Sequence, residues 1–153
     1  YRTGNSYMNM KINTDNYEFA GEYSGHLWFK DKWLGFDDGI YAGLRMIEIL
    51  SLSDKTISEH LENINKYYST NEIKIPVTDE NKFKIVDKVK EYSISKNYKI
   101  ITIDGVRVEM PNSWALIRCS NTGPNLTVRY EATTEEELHR IENEFNNLIN
   151  KLK

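Results

Sequence analysis

Arg118-Cys119-Ser120-Asn121-Thr122-Gly123-Pro124 gathers a forked guanidinium, two hydroxyls, a carboxamide and a glycine into one short stretch. A guanidinium matches the paired oxygens of a phosphate, and hydroxyl and amide donors beside it can complete the shell. Glycine lets the backbone bend so that successive N–H groups converge on an anion. The chemistry on offer is the holding of a phosphate by Arg118, Ser120, Asn121 and Thr122; the same residue types also make an ordinary polar turn between strands. A second stretch is Gly21-Glu22-Tyr23-Ser24-Gly25-His26. In an extended backbone Glu22, Ser24 and His26 would share one face. A carboxylate and a hydroxyl can then grip two neighbouring hydroxyls of a carbohydrate, and the imidazole can hold a phosphate or move a proton near neutral pH. A glycine-bounded surface hairpin with an incidental histidine has the same composition.

Other chemically capable residues read as structural. His60 and His139 stand in helical segments rich in Glu and Asn and are expected to face solvent. Trp28, Trp33 and Trp114 suit core or interface anchors better than a platform for bases. Glu135-Glu136-Glu137 suits a helix N-terminus, and Asp37-Asp38 suits a helix cap rather than a metal pair. Arg118 could lower the thiol pKa of Cys119, but no histidine or second cysteine is near in sequence, so Cys119 is not read as a nucleophile. A single cysteine excludes a disulfide and a multi-cysteine zinc site, and no metal ligand is expected. The net charge of -3 gives no general attraction to nucleic acid or to an anionic membrane. No apolar run approaches the roughly 18–20 residues that span a bilayer. A cytoplasmic location is the simplest expectation.

Two regions would position these loops. In the first, residues 1–68, Leu27-Trp28-Phe29 reads as a strand, a helix begins near Gly39 behind Asp37-Asp38, and a second helix is expected over residues 56–67. The polar joint is Tyr67-Tyr68-Ser69-Thr70-Asn71. In the second region, residues 69–153, a strand over 72–77 precedes a helix expected from Asp79 to about Ser93 with Phe83, Val86, Val89 and Tyr92 inward. Strands follow at 99–103, 106–110, 114–118 and 125–132, with Asp104-Gly105 marking a hairpin. Thr133 and Glu136 have capping-box spacing, and Leu138, Ile141, Phe145, Leu148, Ile149 and Leu152 line the inner face of the last helix. The expected fold is an α/β fragment, a partial mixed-sheet domain, followed by an α+β domain. The latter has a four- to five-stranded antiparallel sheet with two helices on one face.

Five motifs occur in order over nearly the whole chain. They are Gly21-Glu22-Tyr23-Ser24-Gly25-His26, Gly35-Phe36-Asp37-Asp38-Gly39-Ile40-Tyr41-Ala42, Thr102-Ile103-Asp104-Gly105-Val106-Arg107-Val108, Arg118-Cys119-Ser120-Asn121-Thr122-Gly123-Pro124 and Arg129-Tyr130-Glu131-Ala132. Together they closely resemble the bacterial phosphomannomutase/phosphoglucomutase group of the α-D-phosphohexomutases. That resemblance implies four domains around one cleft: a phosphorylated-serine domain, a magnesium-binding domain with an Asp-rich loop, a sugar-recognition domain and a phosphate-binding domain. This chain matches the end of the third and all of the fourth. The implied reaction interconverts hexose 1-phosphate and 6-phosphate, of mannose or glucose, through a bisphosphate. Glu22 and Ser24 would hold sugar hydroxyls, and His26 would stand near the reacting end for proton transfer. Arg118, Ser120, Asn121 and Thr122 would hold the phosphate that is not transferred. Magnesium and a hexose 1,6-bisphosphate activator are implied for the parent, and no cofactor is expected on this portion.

Two departures from the pattern stand out. Asn5 occupies a position where relatives usually carry a phosphate-holding His, and Gly123 replaces a common Thr. The chain opens on Tyr1 and is expected to be a piece of a longer protein. It is expected to be inactive alone because the serine loop and the Asp-rich metal loop that the resemblance implies are missing from it. Its expected partners are a phosphosugar, the missing N-terminal domains and, through the exposed apolar edge of the first region, a second copy. The contrasting reading is a non-catalytic small-ligand or nucleic-acid-binding α+β module. The acidic balance and the single Arg-led loop fit poorly with nucleic acid.

Overall fold

A computed structural model describes all 153 residues, which form two compact units, Tyr1–Ile64 and Asn65–Lys153. In the first unit, helix α1 (Asn5–Thr14) is followed by a hairpin of β1 (Phe19–Gly21) and β2 (Leu27–Phe29), then by helices α2 (Gly39–Ser51) and α3 (Ile57–Leu61). The neighbour that β2 needs is β1, with Ala20 opposite Trp28. Trp28 and Ile12 are the buried apolar side chains of this unit. The Trp28 indole N–H donates to Asn9 Oδ1 at 2.8 Å, and Asn9 Nδ2 donates to Asn5 Oδ1 at 2.8 Å. Asn5 is therefore part of the brace between α1 and β2. The residues of α1 carry no clear amphipathic stripe, which is why the sequence gives no sign of this helix.

The second unit has β3 (Tyr68–Ser69), β4 (Ile73–Pro76), helix α4 (Lys82–Ser95), β5 (Lys99–Ile101), β6 (Val106–Met110), β7 (Ser113–Cys119), β8 (Asn125–Ala132) and helix α5 (Glu135–Leu152). The strands form one antiparallel sheet in the order β3-β8-β7-β6-β5, with β4 sharing the β8 edge with β3. Alternation along the strands sends Val106, Val108, Ala115, Ile117, Leu126, Val128 and Tyr130 to one face. There they meet Ile85 and Val89 of α4 and Leu138, Ile141, Phe145 and Ile149 of α5. The other face carries Arg107, Glu109, Trp114, Leu116, Arg118, Arg129 and Glu131, each opposite in direction to its core-facing neighbours.

Three boundaries and one helix face differ from expectation. α3 stops at Leu61, because Tyr68 and Ser69 are taken into the sheet opposite Ala132 and Glu131. α4 begins at Lys82 instead of Asp79, since the Thr78 carbonyl and hydroxyl accept the Asn81 N–H in a preceding turn. Its inner face contains Ile85, Val86, Val89 and Ser93, whereas Phe83 is 61% exposed. The last helix is capped by Thr134, whose hydroxyl accepts from the Glu137 N–H, one residue beyond the expected Thr133. Thr133 is held back by its own N–H bond to the Asn112 carbonyl.

Candidate functional site

The stretch from Glu22 to His26 closes the β1–β2 hairpin, and this corrects the extended geometry expected for it. The Gly25 N–H donates to the Glu22 carbonyl at 3.0 Å, and the Glu22 N–H donates to the His26 carbonyl at 2.9 Å. Gly25 takes φ +87°, a conformation that favours glycine. Glu22 and His26 are thus brought together at the base of a turn, with exposed Tyr23 and Ser24 at its tip. Strand alternation, the reason for placing Glu22, Ser24 and His26 on one face, does not operate here. The Glu22 carboxylate accepts the Gly4 N–H at 2.8 Å, tying the turn to the start of α1.

His26 has a partner that the sequence reading assigned elsewhere. Its Nδ1 lies 2.6 Å from Asp37 Oδ2. A carboxylate only accepts, so Nδ1 carries the proton and Nε2 is the nitrogen presented for other chemistry. Asp38 alone caps α2, accepting from the Ile40 and Tyr41 N–H groups at 3.0 Å each. The adjacent carboxylates divide their work, one orienting an imidazole and the other starting a helix.

In the second unit the loop between β7 and β8 folds on itself. The Ser120 N–H donates to the Asn125 carbonyl at 2.9 Å, and the Asn125 N–H donates to the Gly123 carbonyl at 2.9 Å. The buried Ser120 hydroxyl accepts from the Thr122 N–H at 3.2 Å and lies 3.4 Å from Thr122 Oγ1. Asn121 and Thr122 are exposed. Arg118 pairs with Thr127, one step before the ladder ends at Cys119 and Leu126, and its Nη2 lies 3.8 Å from Glu72 Oε2. Arg118, Ser120, Asn121 and Thr122 thus stand together along the end of β7 and the loop that follows it.

Two further guanidiniums share the Arg118 face. Arg107 and Arg129 both pair with Leu116 across the sheet, from opposite sides. Arg107 stacks 4.1 Å above the Trp114 ring centroid and Arg129 lies 5.6 Å from it. The Trp114 indole N–H donates to Glu131 Oε1 at 3.0 Å. Both arginines fall within motifs noted in the sequence, and strand alternation from Arg118 was the signal that could have found them. Burial pushes the Cys119 thiol pKa up, outweighing the attraction of the nearby Lys82 charge, so the expected lowering by Arg118 is not found. No three His, Cys, Asp or Glu side chains cluster to hold a metal ion. The residues here do not fit the magnesium that the family resemblance implies. No helix is long and apolar enough to cross a membrane.

Residues 1–67 match the family profile described as phosphoglucomutase/phosphomannomutase, alpha/beta/alpha domain III, and residues 72–148 match the C-terminal domain of the same family. The chain belongs to the phosphoglucomutase/phosphomannomutase family. It is 45% identical over 150 residues to a phosphomannomutase/phosphoglucomutase of Pseudomonas aeruginosa, covering 97% of this chain and 32% of that protein. A phosphoglucomutase of Neisseria meningitidis serogroup A is 42% identical over 150 residues, with the same coverage of both chains. A crystal structure of a phosphoglucomutase/phosphomannomutase family protein from Burkholderia thailandensis superposes with a TM-score of 0.86 at 36% identity. That match covers 99% of this chain and 32% of the other. The chain thus spans about a third of the length of the relatives it matches.

Proposed function

We propose that this chain is the substrate-holding portion of a cytoplasmic phosphohexomutase that interconverts hexose 1-phosphate and 6-phosphate of mannose or glucose through a bisphosphate. In this reading Glu22 and Ser24 grip sugar hydroxyls. His26, oriented by Asp37, gives or takes a proton at Nε2 near the reacting end. Arg118, Ser120, Asn121 and Thr122 hold the phosphate that stays in place, with Arg129 on the same sheet face adding positive charge. The observation that carries the reading is the β7–β8 loop. A guanidinium at a strand end, followed within four residues by hydroxyls and an exposed carboxamide, suits a dianion. Holding the spectator phosphate gives orientation and binding energy to a transfer carried out elsewhere in the longer protein. The phosphoryl carrier, the magnesium site and the bisphosphate activator belong to that remainder, and the chain by itself is inactive.

Replacing Arg118 by alanine in the longer protein tests this. Loss of a charge-assisted contact to phosphate should lower kcat/KM for glucose 1-phosphate by about 10- to 100-fold, mostly through KM. A coupled assay of glucose 6-phosphate formation reads it. An unchanged kcat/KM, or a wild-type protein with no hexose-phosphate isomerisation, contradicts the reading.

A further inference from the structure

We infer that Lys82 is a positioning residue for the phosphate-holding loop, an inference that rests on the reading of that loop given above. Lys82 opens α4, and its Nζ donates to the Ser120 carbonyl at 3.2 Å across 38 positions of sequence. Its side chain is only 12% exposed. Lysine ordinarily keeps its ammonium in water, and drawing it inward costs hydration and rotamer freedom. The second partner, Asp79 Oδ1 at 2.7 Å, belongs to a side chain that is largely solvated, so that pair gives little in return. What the inward placement secures is the carbonyl of Ser120.

That carbonyl is the hinge point of the loop. Ser120 is held on its N–H side by the Asn125 carbonyl and on its C=O side by the Lys82 ammonium. With both sides fixed, the Ser120 hydroxyl keeps the direction in which it receives the Thr122 N–H. The peptide that offers its oxygen to Lys82 also carries the Asn121 N–H. Donation from a cation to the oxygen polarises the group and strengthens its N–H as a donor. The ammonium also adds positive charge beside a loop that takes an anion. Lys82 acts through Ser120 and Asn121 and is not a catalytic residue.

The test uses Lys82→Met, which keeps the stem and removes the charge, and Lys82→Arg, which keeps the cation. A spectator phosphate is held equally before and during transfer, so its loss shows in KM rather than kcat. In the longer enzyme Lys82→Met should raise KM for glucose 1-phosphate about tenfold with kcat little changed, and Lys82→Arg should recover most of the loss. In the 15N-labelled 153-residue chain, the Ser120, Asn121 and Thr122 amide signals should shift in Lys82→Met. Unmoved loop amides, or a fall in unfolding midpoint with KM unaltered, overturn the inference. A wild-type enzyme lacking mutase activity, with loop amides disturbed as expected, overturns the functional reading and supports the brace.

Discussion

Gly105 sits at φ +75°, and a Cβ there would lie 2.4 Å from the Ile117 carbonyl oxygen and 2.6 Å from Arg118 Cα and Cβ. Val106 pairs with Ile117, so Gly105 falls beside Arg118 at the end of the same ladder. The neighbouring atoms are mostly backbone and cannot swing aside, and an L side chain is strained at that φ in any case. Gly105→Ala should therefore destabilise the second unit by about 2 kcal/mol or more. Urea denaturation of the chain checks this through its midpoint, and a shift equivalent to less than about 0.5 kcal/mol would contradict it. Asp104-Gly105 was legible as a turn from residue types alone. Its approach to Arg118 was not, because that depends on the register between β6 and β7. The Asp37–His26 bond is another case of the same limit: a separation of 11 in sequence is closed by the hairpin and the bridge from Trp28 to Asp37.

At the start of α5 the Glu137 carboxylate takes the Ser113 hydroxyl at 2.7 Å and two bonds from Arg140, also at 2.7 Å. The guanidinium, and after it the Ser113 hydroxyl, hold the Glu137 pKa down to about 2 against the opposing effect of burial. A carboxylate with a depressed folded-state pKa gives stability that is fully present above its unfolded value, near 4.5, and is lost as pH falls toward about 2. Allowing for solvent screening, the contribution is about 1–2 kcal/mol. Glu137→Gln should lower the unfolding midpoint at pH 7, and the gap from wild type should close between pH 4.5 and 2; thermal melts across that range measure it. A gap that stays constant with pH would refute the assignment. α5 itself was legible, because Leu138, Ile141, Phe145 and Ile149 keep a 3.6-residue period and all are buried. α3 was overextended for the opposite reason: Ile57, Leu61 and Ile64 have helical spacing, but pairing of Tyr68 and Ser69 with β8 lies outside any local pattern. The residues proposed to hold the phosphate could be read one by one along a single loop. Lys82, Arg107 and Arg129 reach the same neighbourhood only through sheet order and helix placement.

The two units differ in how much of their apolar surface they cover. The second closes a core of sheet and two helices, from Ile85 to Ile149. The first has no buried residue in α2, where Ile40 and Leu52 are 82% and 81% exposed, and Leu44 and Ile47 are also open. Leu34, Ile57, Leu61 and Ile64 add to the exposed apolar surface of that unit. Monomeric proteins rarely leave contiguous apolar area of this kind uncovered. The relatives this chain matches are about three times as long, and a covering of this surface by further chain is the expectation. The 153-residue chain alone should therefore bind a hydrophobic dye and self-associate, with Trp28 and Trp33 losing their native environment at lower urea than Trp114. Sedimentation velocity across a concentration series reads the association, and single-tryptophan variants read the two transitions. The longer protein should show neither behaviour. A monodisperse 153-residue monomer that unfolds in one step would mean that the first unit is complete without a covering partner, and the α2 surface would then need another explanation.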